Sequence, residues 1–168
     1  MDDTTRTAAL APIVRAAADG DRRWFFGGGI HVWKATEAET GGAFFLFEDQ
    51  MTQGKVSPLH VHPDSDETFY VADGEILVHL DGAEHSLSAG AVMVAPRGVP
   101  HAFLVVSPTA RVLCLHTPGG CQAFYVDASE AMTDGQLDGP VDMARVQESA
   151  ARNGGMVILG PPPFPRAH

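Results

Sequence analysis

His60 and His62 are the residues of this chain whose type and spacing first suggest chemistry. In a β-strand, residues i and i+2 project from one face, about 6.6 Å apart along the chain, so two imidazoles placed this way can converge on one cation. Glu67 follows after the turn-prone Pro63-Asp64-Ser65-Asp66 and can swing back from the next strand to add a carboxylate. The same spacing is produced by a pair of surface histidines beside an acidic residue. His-x-His-x4-Glu alone therefore leaves both readings open.

The surrounding glycines and prolines narrow the choice. The first block reads Gly54-x5-His60-x-His62-x4-Glu67-x6-Gly74, and fifteen residues later a second reads Gly90-x5-Pro96-x-Gly98-x2-His101. Together these blocks resemble the paired motifs of the cupin superfamily. One position departs: Val105 stands where the second motif usually ends in Asn, a residue that is not a metal ligand. The resemblance implies an all-β fold, a double-stranded β-helix or jelly-roll barrel with short flanking helices. It also implies one divalent transition metal per chain, held by His60, His62, Glu67 and His101. A nitrogen-rich set without thiolate suits Fe, Ni, Mn, Co, Cu or Zn.

The segments that carry these residues read as short strands. Runs rich in Phe, Val, Leu and Ile alternate with Gly, Pro, Asp and Ser clusters at spacings near ten residues, the pattern of a sandwich or barrel. Expected strands cover 24–26, 30–35, 43–48, 68–71, 75–80, 85–87, 91–95, 102–106, 111–117 and 122–126. Asp73-Gly74 and Asp81-Gly82 each read as a tight hairpin turn. Residues 4–18 are Ala-rich and suggest a helix that Pro12 interrupts. Met143, Val146 and Ala150 lie at helical spacing in a C-terminal helix that Gly154 stops, followed by a Pro-rich tail, 140–168 in all. The reading is one domain over 1–168, with its core barrel at about 23–127.

Strand parity sketches a pocket. Phe69 and Val71 share a face with Glu67, and Phe103 shares one with His101. Phe45, Phe47, Met51, Met93 and His116 are further candidates for its wall. His31, His79 and His85 read as ordinary surface or edge residues, and Trp24 and Trp33 as packing or interface residues.

Composition removes other function classes. Eleven Lys and Arg against 21 Asp and Glu leave a net charge of −10, which repels phosphate backbones and anionic lipid heads, so neither nucleic acid nor membrane is an expected partner. Two cysteines, Cys114 and Cys121, cannot make a disulfide scaffold and read as buried reduced thiols. With an acidic N-terminus, this suggests a cytoplasmic protein. Two-fold symmetry is the commonest assembly, so a homodimer is expected.

A longer likeness extends over residues 23–126. Ser57-Pro58-Leu59-His60, Glu67-Thr68-Phe69-Tyr70-Val71, Pro96-Arg97-Gly98-Val99-Pro100-His101 and Thr117-Pro118-Gly119-Gly120 are similar to segments of small single-domain quercetin 2,3-dioxygenase-like cupins. That resemblance implies cleavage of a flavonol-like or other aromatic enol by O2, with Glu67 as general base. Two alternatives stand beside it: a metal-dependent isomerase or cyclase acting on a small aromatic or polyketide-like substrate, and a non-catalytic small-molecule-binding barrel.

Overall fold

The computed structural model describes residues 10–164, and the architecture is two facing antiparallel sheets. In chain order the strands are β1 (Asp21–Phe25), β2 (Ile30–Ala35), β3 (Phe45–Thr52), β4 (Leu59–Val61), β5 (Asp66–Asp73), β6 (Glu75–Leu80), β7 (Ala83–Ser88), β8 (Val92–Ala95), β9 (His101–Val105) and β10 (Thr109–Thr117). Helix α1 (Gln122–Asp127), β11 (Ser129–Ala131), α2 (Met143–Asn153) and β12 (Val157–Gly160) complete the chain. The larger sheet runs β11-β1-β2-β3-β10-β5-β8 and the smaller β12-β4-β9-β6-β7. Alternating burial along β3, β5, β6 and β10 sends Phe45, Phe47, Val71, Ile76, Val78 and Val112 into the space between the sheets. This is a jelly-roll core. Among the described residues, no helix is long and apolar enough to cross a membrane.

The two Asp-Gly turns do different work. Asp81-Gly82 closes the β6–β7 hairpin with both residues at positive φ, 48° and 84°. Asp73-Gly74 makes no hairpin, because β5 belongs to the larger sheet and β6 to the smaller. The chain crosses between sheets there, and Gly74, at φ 80°, passes so close to β10 that a Cβ would stand 2.2 Å from the carbonyl oxygen of Thr109. A sequence signal for φ > 0 does not reveal whether the two strands pair.

Two expected elements are corrected. Residues 122–126 form helix α1, not a strand. Phe124, Tyr125 and Ala128 are buried together, and Ser149 Oγ of α2 donates to Phe124 O at 2.8 Å. Five residues carry too little periodicity to separate strand from helix, and helix–helix packing overrides their β propensity. At the N-terminus, residues 10–16 are not helical and only 17–18 turn; residues 4–9 of that expected helix lie outside the described residues. Pro12 and the nearby contact of Arg15 with Glu39 account for the absence of a helix over 10–16. The C-terminal helix forms as read, with Asp142 capping it by accepting from Arg145 N and Gly154 at its end. The following segment adds β12 to β4, and in the Pro-rich tail Phe164 is buried against its own chain.

Candidate metal centre

His60 of β4 pairs directly across the strands with His101 of β9, and His62 follows on the same face just past the end of β4. Glu67 comes from the other sheet, on β5, between Ala95 of β8 and His116 of β10. The four predicted ligands therefore meet across the gap between the sheets. All four are buried, and their ligand atoms lie within 4.8 Å of one another.

Backbone carbonyls set the ring orientations. His60 Nδ1 donates to Pro58 O and His101 Nδ1 to Val99 O, each at 2.8 Å, and His62 Nδ1 donates to Gly155 O. With Nδ1 so engaged, the Nε2 lone pairs turn to the common centre, as metal-binding imidazoles require. Gly98 N–H donates to His62 O at 2.8 Å, tying the second motif to the first. Burial, followed by the neighbouring His101 and His62, drives the pKa of His60 down to about 3, so its ring is neutral at physiological pH.

The donor set suits a cation. Nε2 of His62, Nε2 of His101 and Oε2 of Glu67 are buried without hydrogen bonds. Glu67 Oε2 stands 2.7 Å from His101 Nε2, while Oε1 lies 3.6 Å from His62 Nε2. Orphaned buried lone pairs at such close quarters are expensive, and one divalent ion among three imidazoles and a carboxylate would satisfy them together. Burial alone would raise the pKa of Glu67, but His62, His101 and His116 outweigh it and hold the carboxyl well below its usual range.

A second group supports Glu67 from behind. Cys114 Sγ donates to Oε1 at 3.3 Å, His116 Nε2 lies 3.3 Å from the same oxygen, and Tyr125 Oη lies 2.9 Å from His116 Nε2. Burial and the carboxylate push the Cys114 thiol well above its usual range, so it remains a thiol. Both cysteines are free and buried. Parity could have found Cys114, which shares a face with His116 on β10. Tyr125 was beyond reach, because its position depends on α1 being a helix.

The centre opens on a cavity of about 50 Å³. Of the pocket candidates, Phe47, Met51, Phe69 and Phe103 line it, while Phe45, Met93 and His116 lie outside its lining. Phe45 is sealed against Trp33 and Phe47, Met93 is buried opposite Phe69 on the edge strand β8, and His116 stands behind Glu67. Met143, Val146 and Met156 complete the lining from the C-terminal segment. His31 corrects the expectation of a surface or edge residue. It is 2% exposed, stacked between Phe25 and Phe47, and lines this cavity. The other two differ: His79 is half-buried and His85 exposed. Trp24 and Trp33 are buried in the core.

Two facing sheets with three histidines and a glutamate converging between them make a cupin fold. The cupin domain family matches residues 47–117. Quercetin 2,3-dioxygenase of Bacillus subtilis (strain 168) is 29% identical over 114 residues, which are 68% of this chain and 34% of that protein. The chain thus spans about a third of that relative's length. Among solved structures, an RmlC-like cupin from Shewanella frigidimarina superposes with a TM-score of 0.57 at 17% identity, covering 65% of this chain and 93% of that one. A predicted oxalate decarboxylase from Thermotoga maritima gives 0.57 at 19% identity, covering 64% and 99%. These two likenesses establish the fold and carry no reaction with them.

Proposed function

We propose that the protein is a metal-dependent dioxygenase that cleaves an aromatic or flavonol-like enol with O2. The observation that carries this reading is the buried set of three imidazoles and one carboxylate at the wall of an apolar cavity. The sequence likeness to a quercetin 2,3-dioxygenase agrees with it. A divalent transition metal held by His60, His62, His101 and Glu67 supplies Lewis acidity toward a substrate hydroxyl and, if redox-active, electrons toward dioxygen.

The chain's own residues do the rest. Glu67 is ionised at neutral pH and its Oε2 has no hydrogen bond, so this oxygen can serve as a labile ligand or accept the hydroxyl proton of the substrate. Cys114 and His116 hold Oε1 and keep the carboxylate aimed. Phe47, Phe69 and Phe103 exclude water from the reacting carbon skeleton. The cavity is far smaller than the about 300–1,000 Å³ of pockets that take drug-sized ligands, so the substrate that enters without wall movement is compact.

Glu67→Gln tests the assignment. Elemental analysis should show most of the metal retained, while turnover of an enol panel on an oxygen electrode falls about a hundredfold or more. Unchanged turnover would refute the base. Turnover without oxygen would replace the dioxygenase by an isomerase or cyclase, and tight binding without turnover would leave a ligand-binding barrel.

A further inference from the structure

The metal centre leaves a second polar group on the cavity wall without a task. Lys55 sits in the turn between β3 and β4 with its backbone pinned to β9: Gly54 N–H donates to Val105 O at 3.0 Å and Val105 N–H donates to Lys55 O at 2.9 Å. Its side chain, 6% exposed, runs into the apolar wall, placing Nζ 5.5 Å from the Phe25 ring centroid and 5.7 Å from that of Phe103. Nζ pairs with Asp49 Oδ2, which also lies 3.5 Å from His31 Nε2. Asp49 takes one of the three donors of the ammonium. Among the described residues, Lys55 is the one lysine or arginine that lines the cavity.

Space has been left for this head group. A Cβ at Gly29 would stand 2.7 Å from Lys55 Nζ and 2.8 Å from Asp49 Oδ1. Position adds a second point. Gly27, Lys55, Val56, Pro58 and Met143 border both the cavity and a groove on the surface outside it, so the lysine lies on the side of the cavity next to that groove. A buried ion pair in an apolar wall is commonly no more stable than well-packed apolar residues of the same size. Stability alone therefore does not account for its presence here.

We propose that Lys55 is the specificity-determining cation of the cavity and receives an ionised oxygen, carboxylate or enolate, of a compact substrate. The proposal deepens the enzymatic reading and rests on it only for what happens at the substrate's other end. A charge-assisted contact in a dry wall discriminates between an anion and its neutral isostere by about tenfold or more. Burial lowers the pKa of Lys55 from the usual lysine range and Asp49 opposes that shift, which makes the pair sensitive to a second anion.

The test is calorimetric titration of benzoate and its neutral counterpart benzamide into metal-loaded and chelator-treated protein. Lys55→Met alone strands Asp49, so the charge-neutral Lys55→Met/Asp49→Asn variant is measured beside it. In the wild type, the side-chain NMR resonance of Lys55 is followed as a readout independent of any variant. Benzoate should bind the wild type about tenfold tighter than benzamide with or without metal, lose that preference in the double variant, and shift the Lys55 signal where benzamide does not. Equal binding of the two probes, no benzoate binding, an undiminished preference in the double variant or an unmoved Lys55 signal each overturn the proposal. A preference that needs metal and ignores Lys55 overturns it and leaves the metal centre standing. A Lys55-dependent preference in a protein that takes up no metal sustains it and removes the metal centre instead.

Discussion

Glu67 is the residue on which two sets of contacts meet, the histidines in front and the Cys114, His116 and Tyr125 group behind. His60, His62 and Glu67 were visible in sequence because strand periodicity and a short turn place them together locally. His116 was visible as a wall candidate, but its role behind the carboxylate depends on β10 lying beside β5. Glu39, far from the centre, allows an independent check of the electrostatics. Its carboxylate accepts from Arg15 and from the backbone and hydroxyl of Thr36, and these contacts, Arg15 first, lower its pKa to about 2. A folded pKa below the unfolded one gives stability that is present above the usual glutamate range and lost as the pH falls toward 2. Because the side chain is 35% exposed, solvent screening reduces the contribution to about 1 kcal/mol or less. Glu39→Gln should therefore cost that amount in urea unfolding at pH 7 and nothing near pH 2. A cost that stays constant with pH would show that the carboxylate charge is not its source.

At the scale of elements, the crossover and the hairpin make a matched pair. Gly82→Ala strains a left-handed turn that has open space around it, at a cost of about 1 kcal/mol. Gly74→Ala adds to the same strain a collision with the Thr109 carbonyl, for a loss of about 2–5 kcal/mol. Urea midpoints at unchanged m-value would measure both, and equal losses would mean that the close approach to β10 carries no weight. The strands at 30–35 and 75–80 were legible to the residue because alternation and turn residues bound them at both ends. Helix α1 was not, since Gln122–Asp127 is held by distant partners: Phe124 O accepts from Ser149 of α2, and Tyr125 packs among Phe25, Phe45 and Phe47. Strand β12 and Gly155 were equally hidden, although Gly155 O orients the His62 ring from 93 residues away.

For the molecule as a whole, a cation held at this centre would couple metal to stability. Its ligands come from both sheets and one ring is oriented by the C-terminal segment, so a cation bound there binds the folded chain and not the unfolded one. At a free metal concentration a hundredfold above Kd, the gain is about 2.7 kcal/mol. For a chain of this size that raises Tm by about 5–11 °C. Differential scanning calorimetry with metal and with chelator should show the rise and its reversal, and His101→Ala should abolish it. The same Tm in both conditions would rule out a cation at this centre. The all-β class and most strands are local properties that periodicity and turn chemistry disclose within short stretches, and the four ligand candidates came with the likeness of the paired motifs to those of cupins. That α1 is a helix, that the C-terminal segment lines the cavity, and that His31, Asp49 and Lys55 share its wall became visible in the folded chain alone. Each of those depends on contacts between residues distant in the chain, and local pattern carries no record of such contacts.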